Sequence, residues 1–175
     1  MIKQCTATDF DKILIIINQA AEAYRNVIPA DCWHEPYMSR QALVNEINSG
    51  VNFWGYFEAD VLVGAMGIQQ VKDATLIRHA YVLSEYQGKS IGGQLLNFLV
   101  KQAGELLLVG TWTAATWAIR FYERNGFTLV SPTEKDRLLG IYWNISPRQT
   151  ETSVVLRYRA QVSEAASYTN PSSLL

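Results

Sequence analysis

The chain has 175 residues, 49% of them apolar and 11% aromatic, which is enough for one domain with a sizeable core and too short for two ordinary ones. Fifteen Lys and Arg against sixteen Asp and Glu leave a net charge of −1, with no basic block or stripe of the kind that tracks nucleic acid or an anionic membrane. Two cysteines, Cys5 and Cys32, make neither a disulfide framework nor a zinc site, and no metal is expected.

The opening residues Met1 to Thr6 lack a charged segment followed by an apolar run, and no apolar stretch reaches the ~18 residues of a membrane span, so a cytoplasmic location is expected. Thr8-Asp9 then precede an apolar segment with Ile13, Leu14, Ile16, Ile17, Ala20, Ala21 and Tyr24, the spacing of a helix packed on a core. Pro29 and Pro36 bracket an irregular aromatic stretch, after which Ser39 caps a second helix that stops at Ser49-Gly50. Phe53 to Glu58 and Val61 to Gln69 are strand-forming runs joined by Ala59-Asp60, a hairpin, and Thr75 to Val82 follows as a third strand of a meander. From Gly88 the pattern turns helical, with Ile91, Leu95, Leu96, Leu99 and Val100 on one face, and Leu106 to Val109 returns as a short strand. A helix from about Thr116 to Asn125, the stop Gly126 and a strand from Phe127 form a second such unit. Ser131-Pro132-Thr133-Glu134 has the form of a capping box with Pro at the first helical position, and Ser153 to Tyr158 closes as a strand. Residues 1–160 are expected to be one domain and the Ser- and Thr-rich 161–175 a flexible tail.

The loop Gln87-Gly88-Lys89-Ser90-Ile91-Gly92-Gly93 lies between a strand and a helix N-terminus. Backbone N–H groups converge at such a terminus, the helix dipole adds positive potential, and glycines admit an anion close to the main chain, so a phosphate or diphosphate is the natural ligand. A nucleotide-hydrolase phosphate loop needs a Gly five positions before its final Gly-Lys pair, where this chain has Leu83. The dinucleotide fingerprint needs a different glycine spacing from that of Gly88, Gly92 and Gly93.

That loop resembles the cofactor signature of the GNAT superfamily of N-acetyltransferases, in which Arg or Gln is followed three and five positions later by Gly and by Gly or Ala. Gln87 and Gly92 match, and Ser90 replaces the middle Gly. A second segment, Ala118-Ile119-Arg120-Phe121-Tyr122-Glu123-Arg124-Asn125-Gly126-Phe127, is similar to the family motif that ends in Phe-Tyr, three residues and Gly-Phe; where the family carries Asn three residues before the Ala, this chain has Ala115. The resemblance implies a mixed α+β fold: a central, mostly antiparallel sheet of about six to seven strands, flanked by helices and splayed between the strand ending at Val82 and that at Leu106 to Val109. It also implies transfer of an acetyl group from acetyl-CoA to a primary amine by direct attack in a ternary complex. The alternative is a non-catalytic acyl-CoA sensor.

Under the same resemblance the co-substrate is held by Tyr81, Val82, Gln87, Gly88, Lys89, Ser90, Ile91, Gly92, Gly93 and Ala118. Backbone N–H near Val82 serves the oxyanion, and Tyr122 is the general acid, protonated at neutral pH and placed one helical turn from Ala118. The strand from Thr75 to Val82 has no Glu, which leaves His79 as the first candidate base, His34 and Glu35 as a second, and a water relay as a third. His34, Glu35 and Trp54 are assigned to the acceptor side. Trp33, Trp54, Tyr56, Tyr142 and Trp143 suit an apolar or aromatic acceptor or else pad the core and rim. The expected partner is a small-molecule or peptide amine, with no nucleic acid and no membrane, and a homodimer is compatible with the pattern.

Overall fold

A computed structural model describes residues 1–159; the expected tail, 161–175, lies outside the described residues. Strand β1 (Ile2–Gln4) leads into helix α1 (Phe10–Ala21), which buries Ile13, Ile16, Ile17 and Ala21, spacings of three, one and four that set them on one face. Helix α2 (Arg40–Asn48) starts at Ser39, whose Oγ accepts from the N–H of Ala42. Strands β2 (Asn52–Glu58), β3 (Val61–Val71) and β4 (Ala74–Val82) form the expected meander. Its first turn holds Ala59 at φ 46° and Asp60 at φ 64°, the two left-handed residues that match a tight turn to the twist of its strands.

Helix α3 (Ile91–Val100), strand β5 (Leu106–Trp112), helix α4 (Thr116–Arg124) and strand β6 (Phe127–Leu129) follow. Helices α5 (Pro132–Tyr142) and α6 (Pro147–Glu151) each begin with a capping Ser and a Pro, and β7 (Ser153–Tyr158) ends the described chain. The seven strands make one sheet in the order β1-β2-β3-β4-β5-β7-β6, antiparallel except for β4 against β5. Its two faces are covered separately. Val63, Met66 and Ile77 meet Leu95, Leu96, Leu99 and Tyr122 from α3 and α4 on one face, while Phe53, Phe57, Leu62 and Ala65 meet α1 and α2 on the other. Among the described residues no helix is long and apolar enough to cross a membrane.

Two features open the sheet at its centre. Ala65 pairs with Tyr81 but Gly67 pairs with Arg78, so His79 and Ala80 share Met66 as their opposite number. That is a β-bulge, and His79 takes the left-handed conformation at φ 49° to make it. Beyond the bulge β4 leaves β5: the two pair only from Ala74↔Leu106 to Ile77↔Val109. The residues expected to border the splay, 106–109, are therefore the paired ones, and its far wall is Gly110, Thr111 and Trp112, held instead by Val155, Val154 and Ser153 of β7.

Candidate active site

A cleft of ≈ 1240 Å³ runs through the splay from the α3–α4 face to the α1–α5 face. One end is the N-terminus of α3. The N–H groups of Gly88 through Gly93 donate to no turn, cap or side-chain acceptor among the described residues, and the first bond of the helix runs from Gln94 N–H to the Ser90 carbonyl. Gly88 sits at φ 79°, and no heavy atom lies within 4 Å of where its Cβ would be. An open cradle of six unpaired donors on a helix dipole fits the diphosphate of a coenzyme A group. Gln87 braces this loop from the side: its Nε2 donates to the Val82 carbonyl at 3.2 Å.

The glycines do different work from one another. A Cβ on Gly92 would stand 3.4 Å from the Phe121 ring, so this glycine also lets α3 lie close against α4. Ser90 is the N-cap residue of α3 at φ 59°, and its hydroxyl makes no capping bond. The position thus keeps the left-handed backbone for which the family uses Gly, while carrying a Cβ.

Eleven of the fifteen site positions named from sequence line the cleft or its loop: Tyr81, Val82, Gln87, Gly88, Ser90, Ile91, Gly92, Gly93, Ala118, Tyr122 and His79. Four lie elsewhere. Lys89 turns out over the Tyr86 ring, with Nζ 3.7 Å from Glu58 Oε2. Trp54 packs against Phe98 of α3, ring centroids 4.8 Å apart. Glu35 is bound at the surface by Arg25 at 2.9 Å, and its neighbour His34 does not line the cleft. Ala115 is fully buried beside Ile28 and Trp112, off the cleft wall.

Tyr122 is 6% exposed, with its ring edge-on to Phe121 and Phe127. Burial, and then the nearby Tyr24, push its phenol well above the ordinary value, which holds it neutral. The bulge turns both Arg78 and His79 toward α2. There Arg78 Nη2 donates to Glu46 Oε2 at 2.7 Å, and His79 Nε2 lies 3.0 Å from the same oxygen without hydrogen-bond alignment. Burial works to raise the Glu46 pKa, but His79 and Arg78 outweigh it and hold the carboxyl below its ordinary value. Arg78 also donates to Gln69 Oε1 at 2.7 Å.

The sequence offered no sign of Glu46, which comes from another element, and of the five aromatics weighed there for the acceptor only Trp143 lines the cleft, whose aromatic end is built from others. Tyr24, Tyr37, Tyr81, Trp112 and Trp117 meet there from five different segments. Trp112 Nε1–H donates to Tyr37 Oη at 3.1 Å, and Tyr24 stacks on Trp117 at 5.6 Å.

Compared with known proteins, the chain matches over residues 17–141 the family model described as an acetyltransferase (GNAT) domain. No curated protein sequence matches it. Among solved structures it is similar to a GNAT-family acetyltransferase from Staphylococcus aureus Mu50, at TM-score 0.67 and 19% identity over 90% of this chain and 97% of that one. It is similar to the PaiA N-acetyltransferase of Thermoplasma acidophilum in complex with coenzyme A, at TM-score 0.66 and 19% identity over 91% and 98%. The ribosomal-protein-S18-alanine N-acetyltransferase of Escherichia coli gives TM-score 0.63 and 16% identity over 90% and 92%. At these identities the solved structures establish the fold.

Proposed function

Because the chain belongs to the GNAT acetyltransferase family, we propose that it moves an acetyl group from acetyl-CoA to a primary amine by direct attack in a ternary complex. The observation that carries this reading is the splay between β4 and β5 with the row of unpaired N–H groups from Gly88 to Gly93 at its mouth. When bound, the co-substrate supplies the acetyl carbonyl as an activated thioester. Val82, whose strand is unpaired toward β5, offers backbone to the acyl arm and the oxyanion. Ala118 leaves room for that arm on α4, one turn before Tyr122.

The proton account needs one donor and one acceptor. The amine nitrogen takes the acetyl carbon as the C–S bond breaks, the nitrogen gives up one proton, and the departing sulfur receives one. Tyr122, held neutral by burial, is the donor to sulfur. His79, on the cleft wall with Glu46 at its Nε2, is the side chain we assign to the nitrogen's proton. We read residues 1–160 as one catalytic domain in a cytoplasmic setting, which agrees with two free thiols.

The direct experiment follows free thiol and acetylated amine together, by thiol titration and mass spectrometry, with acetyl-CoA fixed and primary amines varied. One acetylated amine per thiol released is the expected result. Thiol release without acetylated amine would remove the transfer reading.

A further inference from the structure

Resting on the acetyltransferase reading, we infer that the acceptor is an arylalkylamine: one primary amine carried on an aromatic body, seated among Tyr24, Tyr37, Tyr81, Trp112 and Trp117 at the end of the cleft away from the α3 cradle. These rings form a connected wall. Tyr24 lies 5.7 Å from Tyr37, 6.4 Å edge-on from Tyr81 and 5.6 Å in a stack from Trp117. Trp117 is 39% exposed although it stacks on Tyr24, so an indole stands at the mouth with one side in water, a place where a ligand ring gains contact without displacing the core.

The charge on the wall narrows the amine further. No Asp or Glu lines the cleft among the described residues. Glu46 stands behind the wall and is occupied by Arg78 and His79, while Glu22 and Glu35 at the surface share Arg25. The phenols supply no negative charge either: burial, and then Tyr37, push Tyr24 up to about 12, and burial raises both Tyr37 and Tyr81. A polyamine or an aminoglycoside would bring several ammonium groups to a wall without a counter-charge, which is costly. An amino acid would need a free cation for its carboxylate. Arg78 is committed to Glu46 and Gln69, and Arg124 belongs to the cradle end, next to Asn125, whose Oδ1 lies 3.6 Å from a Cβ placed on Gly93.

A single amine on an apolar body meets this wall without penalty. Its ring stacks on the water-facing side of Trp117, which Tyr24 backs, and its ammonium loses water on entry, which lowers its pKa and yields the neutral nitrogen that attack on a carbonyl requires. The Trp112 N–H is already taken by Tyr37, so the wall presents hydroxyl oxygens and π-faces to the amine.

The test compares 2-phenylethylamine with spermidine, kanamycin, glutamate and an alanine-initiated peptide at fixed acetyl-CoA. Intrinsic tryptophan fluorescence of the CoA-saturated protein, titrated with 2-phenylethylamine, serves as a binding readout independent of turnover. We expect kcat/KM for 2-phenylethylamine about 100-fold above that for any of the others, saturable quenching, and in Trp117→Ala a roughly 10-fold higher KM for the arylalkylamine with acetyl-CoA affinity unchanged. Preference for a polycation, an amino acid or the peptide would overturn this inference and leave acetyl transfer standing. So would absent quenching, or an unaltered KM in Trp117→Ala. A protein with no thermal response to acetyl-CoA would instead end the acetyltransferase reading, and this inference with it.

Discussion

Three residues carry chemistry or strain that can be separated by substitution. Tyr122→Phe keeps the ring between Phe121 and Phe127 and removes only the hydroxyl. If that hydroxyl protonates the departing sulfur, kcat falls by roughly 10²- to 10⁴-fold with KM for acetyl-CoA within a few-fold, as read by steady-state kinetics under chemistry-limited conditions. Unchanged turnover there would return Tyr122 to a packing role. Ser90 presents the opposite case, a side chain that costs something and bonds nothing. Its left-handed backbone at φ 59° is unfavourable for a residue with a Cβ, and its hydroxyl caps no N–H. Ser90→Gly relieves that strain against a smaller loss of chain entropy, so urea unfolding should show a gain of about 0.5–1 kcal/mol. His79, at φ 49°, stores the same kind of strain at the bulge, and its contact with Glu46 helps hold it there.

At the scale of elements, Glu46 ties α2 to the bulged part of β4. Its folded pKa lies below the ordinary 4.5, because Arg78 and His79 outweigh burial. The folded chain therefore holds fewer protons at this site than the unfolded chain, and the stability the site contributes is present above about pH 4.5 and lost as pH falls through the lowered value. Glu46→Gln should accordingly narrow its stability difference from the wild type as pH drops from about 6 to 3, measured by chemical denaturation at each pH. A difference constant over that range would show that the carboxylate's charge is not what joins the two elements. Local signals made most elements legible: Ala59-Asp60 for the hairpin, Ser39 for α2, and Ser131-Pro132 for α5. Strand β1 was missed because three residues, a half-buried Ile2 followed by exposed Lys3 and Gln4, carry no periodic signal, and it exists through its pairing with β2. Helix α6 was missed although Ser146-Pro147 repeats the Ser-Pro start of α5, since five residues with no buried member leave no apolar face to read.

In the whole molecule, the cradle was legible and the acceptor end was not, for one physical reason. Gln87 to Gly93 is a single contiguous loop, so its donors are neighbours in sequence. The aromatic wall is assembled from residues as far apart as Tyr24 and Trp117, which only the folded sheet brings within 5.6 Å. Lys89 shows the converse limit, for a place in the motif did not say which way its side chain turns. A ligand that bridges the cradle and the splay binds the folded state alone, so acetyl-CoA at 100 times its Kd should add about 2.7 kcal/mol and raise Tm by roughly 5–10 °C in a thermal-shift series. No shift at millimolar ligand would end the acetyltransferase reading.

The strand order has a consequence during synthesis on the ribosome. β7 lies between β5 and β6, yet about 40 residues separate the end of β5 from its start. At translation speeds of 5–20 residues per second, β5 waits roughly 2–8 s for the neighbour that covers its outer edge. β6, whose ladder partner is β7, waits with nothing beside it. A nascent chain in that interval offers another polypeptide a bare hydrogen-bonding edge, and chaperone capture or mispairing is then most favoured at β5, the strand that later walls the cleft.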